Sequence, residues 1–152
     1  MNVRITDYKP IYKEAFKELN YEWISQLFEI EESDKEILEN PEESILKKGG
    51  AILIALSDEE PVGVCALIKV SNDNYELAKM AVSPKAQGNQ IGYKLGSSII
   101  EKAKSLNAKS VYLETNTSLK PALALYKKLG FKELKGCKSE YSRCNVQMEL
   151  AL

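Results

Sequence analysis

The chain has 152 residues, a formal net charge of −1, a mixed complement of apolar and charged residues, and no histidine. That size and balance suit a single soluble domain over residues 1–152, and they give no basic footprint for nucleic acid. The missing histidine removes Ser-His-Asp and Cys-His catalysis and any histidine-bound metal, so no metal is expected.

The opening MNVRITDYKP lacks the pattern of a secretion signal, and no apolar run approaches the roughly 20 residues that span a bilayer. The expectation is a cytoplasmic chain with no membrane contact. Residues 3–8 alternate as a short strand that ends at Pro10. Residues 11–30 repeat apolar positions at helical spacing through Ile11, Ala15, Phe16, Leu19, Trp23 and Leu27, with Asn20 as a point of interruption. A capped short helix follows over 33–40 and stops before Pro41. Then the period changes. Segments 51–57 and 61–70 read as a hairpin across SDEE, and 75–82 as a third strand in series. SPKAQGNQ is a loop, and 91–108 is an amphipathic helix with Ile91, Leu95, Ile99, Ala103 and Leu106 on one face. A strand over 110–115, a helix over 121–130 with proline at its start and glycine at its end, and strands in FKEL and SRCNVQMEL close the chain. The order gives a mixed α/β domain, and the crossover from 75–82 through a helix to 110–115 favours parallel or near-neighbour strands.

The three cysteines form no CxxC pair. Cys65, inside PVGVCALI, reads as a small buried hydrophobe, and Cys137 and Cys144 have no histidine to activate them. Any chemistry therefore rests on carboxylates, tyrosines, lysines, backbone amides and a cofactor. The stretch AQGNQIGYKLG (86–96) lies between strand and helix, where about four unpaired amides and the helix dipole favour an anion. It lacks the Walker ending, and Gly88, Gly92 and Gly96 stand four apart, which departs from GxGxxG. On the loop alone, a phosphate cradle and glycines that merely permit close helix packing both stay open.

YELAKMAVSP before the loop, QGNQIGYKL within it and ALALYKKLGFKEL after it resemble, in order and over about 60 residues, the GNAT superfamily of acyl-CoA N-acyltransferases. The superfamily's loop pattern is Gln/Arg-x-x-Gly-x-Gly/Ala; Gln87 and Gly92 match it, and Gln90 replaces the middle glycine. FKELNYEWI and SILKKGGAILIAL are similar to a bacterial subgroup of single-domain members. The resemblance implies an α/β GNAT-type fold. Its central mixed, mainly antiparallel sheet has about seven strands, a splayed parallel pair (75–82 and 110–115), and about four or five flanking helices. It also implies acetyl-CoA as co-substrate and transfer of its acetyl group to a primary amine of a small molecule, amino acid or peptide by direct attack on the thioester.

Carried onto this chain, the resemblance places the pantetheine arm against the backbone of Met80, Ala81 and Val82, as a strand adds to a sheet edge. It places the pyrophosphate at the amides of Gln87, Gly88, Asn89, Gln90, Ile91 and Gly92, with Lys85 or Lys94 near the ribose phosphate. A side chain at 90 fits such a cradle if it points away from the pyrophosphate and its φ is negative. Tyr126 takes the position of the family's tyrosine, which protonates the leaving sulfur; its other reading is a packed helix aromatic. Glu76 is the candidate base, directly or through a water, and strand alternation sets it on one face with Ala78, Met80 and Val82. Its other reading is a solvated strand-end carboxylate, or one paired with Lys79 or another lysine. The family's cofactor-binding asparagine falls on Leu119 here, so Asn116 is the substitute, or else a turn organiser. Trp23 with Tyr21 and Phe28, and Tyr141, Arg143 and Asn145 on one face of the last strand, are the acceptor-side candidates. Arg143 could recognise a carboxylate; core packing and a solvated strand face are the alternatives. The acidic run over 29–43 could attract a cationic amine or be a solvated surface. The expected assembly is a monomer or homodimer. Competing readings are a non-catalytic acyl-CoA-binding regulatory module and an acyltransferase with another donor or acceptor.

Overall fold

A computed structural model describes residues 2–135 and 144–152. Its seven strands are β1 (Val3–Asp7), β2 (Ala51–Ser57), β3 (Glu60–Lys69), β4 (Asn74–Val82), β5 (Ser110–Thr115), β6 (Lys132–Leu134) and β7 (Val146–Ala151). They form one sheet in the order β1-β2-β3-β4-β5-β7-β6, antiparallel except for β4 beside β5. The helices are α1 (Lys13–Leu27), α2 (Glu32–Glu39), α3 (Ile91–Ser105) and α4 (Lys120–Leu129). The expected mixed sheet with one parallel pair is therefore present. Its parallel pair follows from the crossover through α3, which returns the chain in the same direction.

Helices cover the sheet on both faces, and this explains why AILIALS is apolar throughout instead of alternating. One core joins Leu53, Cys65, Leu67 and Leu113 to Ile91, Leu95 and Ile99 of α3. The other joins Ile54, Leu56 and Val64 to Phe16 and Ile24 of α1 and Leu38 of α2. Burial pushes the Cys65 thiol well above its ordinary pKa, so it stays an inert thiol.

Two expectations for the first helix fail. Asn20 does not interrupt α1, which runs through it unbroken. The buried line is Phe16, Asn20 and Ile24, spaced four apart, while Ile11 and Leu27 are 79% and 61% exposed. A polar residue lies at the centre of the buried stripe because its side chain has partners there. Asn20 Nδ2 donates to the carbonyls of Phe16 (2.9 Å) and Lys79 (3.2 Å). The last strand begins at Val146, later than expected, and the stretch 136–143 lies outside the described residues.

Glycines on α3 set how closely α4 packs. A β-carbon on Gly92 would sit 3.1 Å from Leu125 Cδ2, and one on Gly96 would sit 2.5 Å from Leu129 Cδ1. Both glycines thus permit close packing of α4, and the contact fixes the helix that carries Tyr126. Gly96→Val should overpack this contact and lower stability by about 1–3 kcal/mol, measured by urea unfolding with an unchanged m-value.

Candidate functional site

Pairing between β4 and β5 covers Asn74, Glu76 and the residue between them, opposite Ser110 to Tyr112, and then stops. Beyond it the two strands border a cleft. Trp23 of α1 and Phe28 just after it line one end, Leu77 and Met80 of β4 and Glu114 of β5 line the walls, and Tyr126 of α4 lines the other end. The β4 edge along the cleft has no strand partner past Glu76, so its polar groups there can pair with an extended ligand.

Strand β4 is not regular. Val64 faces Ala81 and Ala66 faces Ala78, so two residues of β4, Lys79 and Met80, stand opposite Cys65 alone. Lys79 has φ +54°, the left-handed conformation that a bulge of this kind uses. The bulge switches which side of the sheet each residue faces. Tyr75 and Leu77 before it, and Met80 and Val82 after it, pack with α3, whereas Ala81 packs with α1. Glu76, Ala78, Met80 and Val82 therefore do not share a face, contrary to the alternation read from the sequence. Glu76 belongs to the α1 side and Met80 to the α3 side.

Nor does Glu76 pair with Lys79. The Lys79 ammonium lies 2.6 Å from Asp34 Oδ1 of α2, with side chains 4% and 0% exposed. Glu76 instead stands across from Tyr112 in the parallel pair and lines the cleft beside Trp23 and Phe28. Those two rings meet edge to face at 6.4 Å. A second carboxylate enters from β5: Glu114 lines the same cleft, and its buried Oε2 has no hydrogen-bond partner among the described residues. The sequence reading missed it. The available signal was its place in YLET, on the polar side of a strand whose Val111 and Leu113 are buried. Burial, and then the charges of Glu114 and Glu76, hold the Tyr112 phenol protonated well above its ordinary range.

Tyr126 is 9% exposed and packs against Phe131 with ring centroids 6.1 Å apart. It is both a packed aromatic and a wall of the cleft. Burial raises its phenol well above 10, so its proton is retained at any ordinary pH.

The loop after β4 begins with a single turn at Pro84–Ala86, anchored by the fully buried Ala86. Asn89 Nδ2 closes it by donating to the Ala86 carbonyl at 3.0 Å. Gly88 has φ +86° and open space where a β-carbon would point. No side chain caps α3, so its first amides remain for an outside acceptor. Gln90 takes φ +59°, so the condition of a negative φ at this position is not met: the residue adopts the conformation for which glycine is favoured.

Asn116 lines the cleft and also organises its turn, its Oδ1 accepting from the Ser118 amide at 2.8 Å. Asn145 is spent on that same turn, accepting from the Thr117 amide at 2.9 Å, and is absent from the cleft lining. Leu119 and the half-buried Cys144 line the cleft. Lys85 is ion-paired with Glu60. Cys137, Tyr141 and Arg143 lie outside the described residues. Among the described residues, no group of three or more acidic or cysteine side chains could hold a metal, and no helix is long and apolar enough to cross a membrane.

A non-glycine residue in the left-handed region costs roughly 1–2 kcal/mol, and replacement by glycine returns part of that as unfolded-chain entropy. Gln90→Gly should therefore stabilise the fold by about 0.5–1 kcal/mol in chemical denaturation.

Comparison with known proteins accounts for this arrangement. The family model of the Acetyltransferase (GNAT) family matches residues 12–131. The uncharacterized N-acetyltransferase YjgM of Escherichia coli (strain K12) is 36% identical over 89 residues, which is 57% of this chain and 53% of that protein. A Bacillus subtilis (strain 168) protein, provisionally named a ribosomal protein bS18-alanine N-acetyltransferase, is 29% identical over 85% of this chain and 77% of its own length. The chain thus spans about half of the first relative and about three quarters of the second. An acetyltransferase of the GNAT family from Staphylococcus aureus Mu50 superposes with a TM-score of 0.89, at 26% identity and 99% coverage of both chains. More distant structures, alike in fold alone, were solved with coenzyme A or acetyl-CoA bound. The loop, the interrupted strand pair and the tyrosine-bearing α4 all fall within the matched span, and this chain belongs to the GNAT acetyltransferase family.

Proposed function

We propose that this protein is an acetyl-CoA-dependent N-acetyltransferase whose acceptor is a cationic primary amine that attacks the thioester directly. The observation that carries this reading is the gap between β4 and β5, which joins the two faces of the sheet. Two carboxylates and two aromatic rings lie toward α1, and a protonated buried tyrosine lies toward α4.

The donor side suits acetyl-CoA. The unpaired β4 edge at Met80, Ala81 and Val82 offers strand-like hydrogen bonds to a pantetheine arm. The amides of Gln87 to Gly92, uncapped and beside the open space at Gly88, suit a pyrophosphate. Asn116 reaches the same cleft from the end of β5. Bound there, acetyl-CoA supplies an activated acyl carbon and a sulfur leaving group. A backbone amide near Met80 stabilises the negative charge that develops on the carbonyl oxygen.

An alkylammonium with a pKa of about 10 must lose a proton before its nitrogen can attack. Glu76 or Glu114 receives that proton, directly or through a water, and both carboxylates attract the ammonium before the transfer. Trp23 and Phe28 hold its hydrocarbon body, with cation–π attraction added. Tyr126 donates to the sulfur as the carbon–sulfur bond breaks, and its raised pKa keeps the proton in place. Tyr141 and Arg143, outside the described residues, are kept as proposed acceptor-side residues, and Asn145 acts through the 116–118 turn. A protein α-amine falls within this acceptor class, in line with the bS18 alanine in one relative's name.

Acetyl-CoA should raise the melting temperature more than adenosine does; no shift with any CoA thioester would refute the donor assignment. Tyr126→Phe should lower kcat by about 10- to 100-fold, the modest end of general-acid effects because a thiolate leaves readily. The KM for acetyl-CoA should stay within threefold, and unchanged turnover would remove Tyr126 from the chemistry. Since ionisation of Tyr126 is shifted upward, the wild-type rate should not fall through loss of its proton below about pH 10. In a free-thiol assay, propylamine, spermidine and an alanyl peptide should react faster than glutamate. Glu114→Gln should raise the KM of the best amine by about tenfold, the size of one hydrogen-bonded charge interaction. Preference for the anionic amine would overturn the acceptor class.

A further inference from the structure

We propose that the buried Lys79–Asp34 ion pair is a positioning device for acyl transfer. It holds the bulge of β4 in the bend that aims the cleft-lining backbone, and it ties that bend to the helix layer forming the acceptor wall. The proposal rests on the acetyl-transfer reading above.

Lys79 sits at the bulge with φ +54°, a conformation a lysine adopts only when its surroundings impose it. Glycine would take it without assistance. Two helices impose it here. Lys79 donates its ammonium to Asp34 Oδ1 of α2 at 2.6 Å. The Lys79 carbonyl accepts from Asn20 Nδ2 of α1 at 3.2 Å. The second oxygen of Asp34 accepts from the Glu31 amide at 2.9 Å, within the capping box of α2, so the carboxylate is itself fixed. Asn20 Oδ1 also accepts from Trp23 Nε1 at 3.4 Å, which links the bulge to an aromatic of the cleft wall.

The bulge lies where geometry matters to the reaction. Ala78, Lys79 and Met80 all line the cleft, and the Glu76 and Met80 side chains reach opposite sides of the sheet only because the bulge lies between them. If the bulge relaxed to regular strand, the chain beyond it would turn over and the Met80 amide would change direction. Stability alone is a weak reason for such a pair, because apolar residues of similar volume commonly replace buried ion pairs without loss. Removing a single partner would leave a buried charge and confound the result, so both charges are removed together.

The experiment compares wild type with K79M/D34L and K79G/D34N, using acetyl-CoA and the best amine of the panel. The two variants remove the ion pair, and only the glycine one accepts the left-handed bend freely. K79M/D34L should melt within a few degrees of wild type and keep its stabilisation by acetyl-CoA. Its kcat should fall by about tenfold or more while the KM for acetyl-CoA stays within about threefold, the pattern of a lost transition-state alignment. K79G/D34N should recover at least threefold in kcat over K79M/D34L. A kcat in K79M/D34L within twofold of wild type would overturn the proposal. So would loss of the fold in both variants, or a kcat that merely follows the folded fraction, since the pair would then be a structural anchor. A wild type that acetylates no amine and is not stabilised by acetyl-CoA would refute the functional reading instead.

Discussion

One residue in a left-handed conformation decides which side chains meet in the cleft. A regular β4 would present every second residue to α3, and its backbone polar groups would alternate evenly between its two edges. The bend at Lys79 divides the strand. Leu77 and Met80 both reach the α3 side, and Glu76 and Ala81 both face α1. The first half of β4 supplies a carboxylate toward one helix layer. The second half supplies an unpaired backbone edge and an apolar floor toward the other. The gap beside β5 then lets the two layers communicate.

Such a bend needs tertiary support because lysine is a poor residue for it. The support comes from polar groups in an otherwise apolar layer, and each is satisfied. Asn20 bonds two carbonyls, and Asp34 bonds an ammonium and an amide. Fully paired networks of this kind hold their geometry firmly, since any displacement leaves a buried donor or acceptor exposed to an apolar environment. The donor side is supported by different means. Gly92 and Gly96 let α4 approach α3 through Leu125 and Leu129, and Phe131 packs against the ring of Tyr126. One wall rests on hydrogen bonds and charge, the other on close apolar contact.

Much of the fold was legible because its signals are local. The run of apolar strands, the face of α3 through Ile91, Leu95 and Ile99, and the proline and glycine bounding α4 each depend on neighbours a few residues away. The parallel pair was legible through the crossover rule. The bulge was not read: the large apolar residues of NYELAKMAV change phase between Leu77 and Met80, but the stretch contains no glycine to mark the bend. Its cause is a carboxylate 45 residues earlier, and a charge in an acidic run gives no sign that it will be buried. The same limit misplaced the buried face of α1. Periodicity counted the apolar Ile11 and Leu27 and passed over Asn20, whose burial depends on a carbonyl of a distant strand. At position 90 the reverse occurred: the chain carries a residue unsuited to its left-handed conformation at the start of α3.

The two sides of the cleft also differ in how far sequence can reveal their chemistry. The donor side uses backbone amides and glycine-permitted contacts, which confine the residue types over a short continuous stretch and so produce a recognisable pattern. The acceptor side is assembled from single side chains of α1, β4 and β5, with Trp23, Phe28, Glu76 and Glu114 separated by long intervals. Each is free to change without disturbing a motif, and only the fold brings them together. Glu114 carries the most information of the four. A carboxylate oxygen buried without a partner is costly, and a ligand that brings hydrogen-bond donors into the cleft would relieve that cost. An ammonium does so with three donors and a compensating charge. Under the proposed acetyl-transfer reading, that ligand is the cationic acceptor, delivered to the point where the two strands part.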